Sequence, residues 1–219
     1  MSESRQDISK RSKELMLNEL KKGYKDKNAH FTPSIDPVMH IKGTDNALEE
    51  MKQKMRDNKF IVEESDKAHL EDKINEITAL YGYEKLIYPS NLGLNLDKIK
   101  ASDKICFDKE IENLRKEVFH SEFSIIHARC GVSSHGVVCV LSSKEQPRML
   151  SLAPTLCIIL LKKEEVVRSM SEAFALVKSE NEILPNNILF IAGPSRTADI
   201  ELITVFGVHG SQKVHLILY

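Results

Sequence analysis

Two short glycine-bearing stretches near the C-terminus contain most of the residues that could do chemistry in this chain. The first, GPSRTADIE, occupies positions 193–201 and follows an apolar run at 188–192. The second, GVHG, occupies positions 207–210 and precedes the apolar segment 214–218. Polar residues gathered in turns between buried strands are typical of a site displayed on an α/β sheet. These two turns are therefore the candidate site.

The residue types of the first turn favour an anion as its ligand. If a short helix opens after the turn, Gly193, Ser195 and Thr197 offer backbone amides and two hydroxyl groups. Arg196 adds a guanidinium, and the whole set suits a phosphate or a carboxylate. Thr197 would also cap a helical turn that begins at Ala198.

Two acids complete the first turn. Asp199 and Glu201 are two positions apart, so on a helix they diverge and form a poor carboxylate pair. Asp199 would favour the amino end of the helix through its dipole, or would orient Arg196 or His209. The alternative is an ordinary strand-to-helix turn in which Arg196 pairs with one of the two acids.

The second turn has a histidine between two glycines. Glycine at both ends, Gly207 and Gly210, indicates a positive φ or a close backbone approach. His209 could titrate near neutral pH, bind an anion or transfer a proton. A histidine in a tight turn could equally serve only to hold the turn by hydrogen bonds.

Together the two turns resemble the C-terminal motifs of the LUD domain, and most closely those of the lactate utilisation protein C subfamily. The resemblance extends from roughly Ala47 to Tyr219. It implies a three-layer α/β/α fold with a mostly parallel sheet, of the type shared with glucosamine-phosphate deaminase, ribose-phosphate isomerase and CoA transferases. It also implies an accessory subunit that lacks a redox cofactor and acts beside iron–sulfur subunits in the oxidation of L-lactate to pyruvate.

A third stretch departs from that family pattern. The sequence RCGVSSHGVVCV at 129–140 stands where relatives usually carry an Ala-Glu-Thr-Gly-Thr type of loop. Gly136 matches, but the acid and the threonines do not. His135 and the neighbouring serines would then replace the missing hydroxyl groups as ligand donors, or the ligand is bound differently or not at all.

A second class of function stays open beside the accessory role. The chain could be a small-molecule-binding protein or an enzyme that acts on a phosphorylated or CoA-like anion. In that case Arg196 would hold the anionic group, and His209 or Glu201 would handle a proton. The sequence has neither a Walker motif nor a G-x-G-x-x-G motif.

The order of the apolar segments predicts the elements that position these turns. Helical and strand patterns alternate from about residue 46 to 119, which favours parallel β-α-β units. Later strands are expected at 123–127, 137–141, 155–161 and 188–191, with an amphipathic helix over 164–179. We expect two parts, a helical extension with its linker at 1–40, including a helix over 8–22, and an α/β/α domain at 41–219.

Composition excludes several partners. A formal net charge of −1 predicts no general attraction to nucleic acid. No apolar run reaches the roughly 20 residues of a membrane span, and the N-terminus lacks the apolar core of a secretory signal, so the cytoplasm is the expected location. The oligomeric state stays open.

Metal chemistry is not indicated either. The four cysteines form no C-x-x-C pair and are expected to be core thiols without a zinc or iron–sulfur site. His127, His135 and His209 lack the spacing of a helical metal site, and none is expected.

Overall fold

The computed structural model describes residues 5–25, 44–198 and 204–219. The chain forms two units, residues 1–37 and 38–219. In the first unit a charged helix covers the helix predicted over 8–22, and the linker predicted to follow it, up to residue 40, lies outside the described residues. No helix in the described ranges is both long and apolar enough to cross a membrane.

Every described element after that first helix belongs to the second unit. In chain order the described helices and strands are α1 (Arg5–Lys25), α2 (Ala47–Asp57), β1 (Ile61–Glu64), α3 (Leu70–Tyr81), β2 (Lys85–Pro89), β3 (Asp103–Phe107), α4 (Ile111–His120), β4 (Phe123–His127), β5 (Cys130–Val132), β6 (Val137–Leu141), β7 (Leu156–Leu161), β8 (Val166–Val167), α5 (Met170–Glu180), β9 (Ile188–Ile191), β10 (Arg196–Ala198), β11 (Thr204–Phe206) and β12 (Lys213–Leu218).

Six parallel strands form the central sheet, in the order β1-β12-β7-β4-β2-β3. The central strand β7 is buried along its whole length because both faces of the sheet are covered. α3 packs on one face, while α2 and α4 pack on the other. The predicted three-layer, mostly parallel α/β fold is therefore confirmed.

A second sheet lies within the layer that contains α2. Its order is β8-β5-β6-β9, and the pairs β5–β6 and β6–β9 are antiparallel. Two of the apolar runs, 137–141 and 188–191, belong to this sheet and not to the parallel one. The turn between β5 and β6 is too short for a parallel crossover, so these two strands pair as a hairpin. α5 packs against the face turned away from the central sheet.

The amphipathic helix begins later than its periodicity predicts. The expected helix over 164–179 starts at Met170, because Lys163–Glu165 form a 3₁₀ turn and Val166–Val167 pair with β5 as strand β8. The hydroxyl oxygen of Ser169 accepts a hydrogen bond from the Glu172 backbone amide at 3.1 Å and caps the helix. Glu172 Oε2 in turn accepts from the backbone amide of residue 168 at 2.9 Å.

Replacing Ser169 with alanine should lower the free energy of unfolding by about 1 kcal/mol, the usual loss for an N-cap serine. The matched control is Ser171→Ala, which removes a hydroxyl from the exposed first turn of the same helix and should change stability by less than about 0.5 kcal/mol. Urea denaturation of both variants measures the difference. Equal losses would mean that the capping bond contributes nothing.

Candidate functional site

Ser195 joins the two glycine turns. Its backbone amide donates to the Ser211 carbonyl at 2.9 Å, and its own carbonyl accepts from the Gly207 amide at 3.0 Å. Its hydroxyl oxygen accepts from the His209 amide at 3.4 Å. The turns at 193–197 and 207–210 therefore lie side by side.

The segment after the first turn is a strand, not a helix. β10 pairs antiparallel with β11, and Arg196, Thr197 and Ala198 face Phe206, Val205 and Thr204 in register. The β-branched and aromatic residues of β11 favour extended backbone, and the pairing satisfies the amides that a helix would have left free. The predicted helix cap at Thr197 and the helical amide cradle are therefore wrong.

The two turns border a small cavity, here called the two-turn hollow, of about 240 Å³. One glycine from each turn, Gly193 and Gly210, lines this cavity. Its polar lining includes Ser195 and His209 at the rim and the buried Ser211, and its apolar wall includes Leu152, Ile191 and Val214. The hollow combines hydrogen-bonding groups on one side with a surface suited to a short apolar group on the other.

The hollow lies beside the amino ends of β7 and β12. Cys157 and Val214, the second residues of these two strands, line it. Ligands in open α/β sheets usually bind at the carboxyl ends of the strands instead. Burial raises the pKa of Cys157 to about 12, so this thiol is neutral at physiological pH.

The Arg196 side chain does not line the hollow. The Arg196 side chain is exposed, and its Nη2 donates to the Ala192 carbonyl at 3.0 Å, next to the rim. Thr197 is half-buried within β10. Asp199 and Glu201 lie outside the described residues. The hollow therefore contains His209 and Ser195, with Arg196 beside it.

His135 and Gly136 occupy the turn between β5 and β6 and do not line the hollow. His135 Nδ1 hydrogen-bonds to the Ser134 hydroxyl at 2.7 Å. The His135 and Gly136 carbonyls accept from Asn58 Nδ2, at 3.2 and 3.4 Å. This turn is therefore anchored to the carboxyl end of α2.

Asn58 is the residue that the sequence analysis missed. It caps the end of α2, and its backbone oxygen lies only 2.1 Å from the place where a Cβ on Gly193 would be. With its side chain on the turn at 135–136, it connects that turn to the first glycine turn. Its position at the end of a predicted helix was visible in the sequence, but its two distant contacts were not.

The three histidines considered as metal ligands do not meet in one place, and among the cysteines Cys130 and Cys139 are cross-strand neighbours. His127 Nε2 hydrogen-bonds to the Leu92 carbonyl at 2.8 Å, while His135 and His209 lie in different turns. Within the described ranges no three His, Cys, Asp or Glu side chains are grouped as metal ligands. Three of the four cysteines are buried, as expected for core thiols.

These features define a three-layer α/β protein whose candidate site is built from turns at the edge of the sheet. The family model of the LUD domain matches residues 38–219, and the chain belongs to this family. Its relatives include lactate utilization protein C of Bacillus licheniformis, which is 30% identical over 173 residues, 71% of this chain and 70% of that protein. Lactate utilization protein C of Bacillus subtilis is 34% identical over 114 residues, 51% of this chain and 47% of that protein.

The matches to several other curated relatives also span about half of those proteins. Among solved structures, a DUF162 family protein from Deinococcus radiodurans has a similar fold, with a TM-score of 0.57 and 17% sequence identity. The superposition covers 78% of this chain and 95% of that one. At this identity the likeness supports the fold alone.

Proposed function

We propose that this chain takes part in lactate utilisation as an accessory subunit without a redox cofactor of its own. Its partners would be iron–sulfur subunits that oxidise L-lactate to pyruvate in the cytoplasm. The observation that carries the proposal is the similarity to lactate utilization protein C, which extends over 71% of this chain.

The two-turn hollow would bind a short carboxylic acid of this system. Its volume of about 240 Å³ lies below the range of roughly 300–1,000 Å³ found for larger organic ligands. The Ser195 hydroxyl and the His209 ring would donate to the carboxylate, and Arg196 beside the rim would add positive charge. Val214 and its apolar neighbours would contact the methyl group of lactate or pyruvate.

The alternative ligand, a phosphorylated or CoA-like molecule, fits this hollow less well. A CoA ester is far larger than the available volume, and Arg196 does not line the cavity. His209 is exposed at the rim, where it would contact a small acid. The geometry therefore favours a short acid at this place.

Growth on L-lactate tests the proposal directly. A strain without this chain should grow poorly on L-lactate as sole carbon source and normally on glucose, and the wild-type chain should restore growth. The double variant Ser195→Ala/His209→Ala should restore growth only partly and should lose thermal stabilisation by L-lactate or pyruvate, because the donors to the carboxylate are gone.

The control is His69→Ala, which removes an imidazole that is exposed on the surface, away from the hollow. This variant should behave as the wild type in both assays. Normal growth of the deletion strain on L-lactate would refute the lactate role. Full activity of the double variant would refute only the assignment of the hollow.

A further inference from the structure

A second and wider cavity, here called the β3–α4 groove, lies between the connection at 107–113 and the loop at 144–149. Its volume is about 700 Å³, within the usual range for organic ligands. The groove begins at the carboxyl end of β3, the edge of an open α/β sheet at which ligands commonly bind. It is distinct from the two-turn hollow, with which it shares no lining residue.

The loop on one side of the groove is held firmly to the central sheet. The Gln146 side chain accepts from the His127 backbone amide at 2.8 Å and donates to the His127 carbonyl at 3.0 Å. The Glu145 carbonyl accepts from the Ser90 amide at 3.0 Å. These bonds fix one wall of the groove.

Three cations line the groove. Lys109, Lys144 and Arg148 are all exposed, and none forms a salt bridge with an acid among the described residues. Cations grouped along a concave surface create a positive potential that attracts anions. The first turn of α4 also faces the groove, and its dipole has the same sign.

Two acids and several apolar side chains narrow the class of ligand. Asp108 and Glu110 line the same groove, so a ligand with negative groups alone would meet repulsion. Hydroxyl groups of a sugar can donate to such carboxylates, as they do in dinucleotide-binding sites. The half-buried Ile111 and Met149 add apolar surface suited to a planar base, next to the buried Phe107.

We propose that the β3–α4 groove binds a nucleoside phosphate. Lys144, Arg148 and Lys109 contact the phosphate groups. Asp108 and Glu110 accept hydrogen bonds from the ribose hydroxyls, and the base lies on the apolar surface. This assignment concerns a separate site and is independent of the proposed lactate role.

Calorimetric titration of the full chain with ADP, adenosine and inorganic phosphate tests this assignment. ADP should bind, and the double variant Lys144→Ala/Arg148→Ala should bind it about tenfold or more weakly, since charge-assisted contacts to phosphate are removed. The matched control Lys100→Ala/Lys178→Ala removes two exposed lysines that do not line the groove and should bind ADP as the wild type does. Thermal melting of both double variants checks that they are folded.

Four results would overturn the assignment. They are no heat of binding with ADP at millimolar concentration, adenosine binding as tightly as ADP, inorganic phosphate binding as tightly as ADP, and unchanged ADP affinity in the Lys144→Ala/Arg148→Ala variant. The Ser195→Ala/His209→Ala variant of the hollow should retain ADP binding, so that failure at one site is distinguished from failure at the other.

Discussion

Replacing Gly193 with alanine is expected to lower the free energy of unfolding by about 3 kcal/mol, the sum of backbone strain and a steric clash. The backbone of Gly193 has φ of +95°, which L-residues with a side chain rarely adopt. An added Cβ would also lie 2.1 Å from the backbone oxygen of Asn58. A backbone carbonyl cannot move aside as a flexible side chain can, so either α2 or the first glycine turn must shift.

Gly82→Ala is the matched control for this variant. Gly82 ends α3 with φ of +67°, but no atom lies within 4 Å of an added Cβ. Its replacement should therefore cost only the strain, about 1 kcal/mol. Guanidinium denaturation of both variants separates strain from clash. Equal losses would show that the backbone near Asn58 accommodates a methyl group at Gly193 without a further cost beyond strain.

The same variant bears on the two-turn hollow. Ser195 is two residues from Gly193 and is bonded to Gly207, His209 and Ser211, so a shift of the first turn disturbs the whole rim. Any ligand affinity of the hollow should thus fall in Gly193→Ala even where the protein is still folded. In Gly82→Ala the rim is unaffected and affinity should be kept.

The sequence predicted the fold class and the strands of the central sheet, but neither their order nor that 137–141 and 188–191 lie outside that sheet. Alternating helix and strand patterns with long connections require parallel pairing, and apolar runs such as 156–161 indicate strands covered on both faces. These signals are local, because each depends on residue types within one element and on the length of the next connection.

The second sheet depends on non-local pairing that a periodicity does not contain. β6 pairs with β9, which lies about fifty positions later in the chain. Val166–Val167 pair with β5 although the residue pattern around them predicts a helix. The first glycine turn shows the same limit. Proline, serine, threonine and aspartate suit a helix start, yet pairing of Arg196–Ala198 with Thr204–Phe206 overrides that local preference.

Within the candidate site, residue types predicted the turns but not their surroundings. The glycines and His209 identified the two turns, and the structure places them side by side around Ser195. The sequence could not show that Arg196 turns toward the Ala192 carbonyl or that Asn58 lies behind Gly193. The position of Asn58 depends on where the end of α2 lies relative to the first glycine turn.

His215 is a titratable group that the sequence analysis did not single out. Its ring is buried on β12, with Nδ1 at 2.9 Å from Glu63 Oε1 on β1 and Nε2 at 2.8 Å from the Tyr81 hydroxyl on α3. The Nζ atom of Lys213 lies over the Tyr81 ring, 4.7 Å from the ring centroid. Burial lowers the pKa of His215 below its usual value, and the positive charge of Lys213 acts in the same direction, against the raising effect of Glu63.

This lowered pKa predicts that the protein loses stability in mild acid. In the unfolded chain the pKa of His215 is about 6.5, so as the pH falls below that value the unfolded chain takes up a proton that the native His215 does not. Unfolding is therefore increasingly favoured until the pH reaches the lower pKa that His215 has in the native state. Each unit by which the folded pKa is lowered corresponds to about 1.4 kcal/mol. Above neutral pH both states are unprotonated, and this contribution to the pH dependence vanishes.

Urea denaturation between about pH 7 and pH 5 measures this loss of stability. The variant His215→Gln should remove it, because the glutamine amide does not titrate and can still hydrogen-bond to Tyr81 or Glu63. His69→Gln is the matched control, since it removes an exposed imidazole and leaves His215 in place, so the variant should still lose stability in mild acid. A wild-type protein that becomes more stable relative to His215→Gln as the pH falls would reverse the sign. The attraction between Glu63 and a protonated His215 would then outweigh the cost of burying the charged ring.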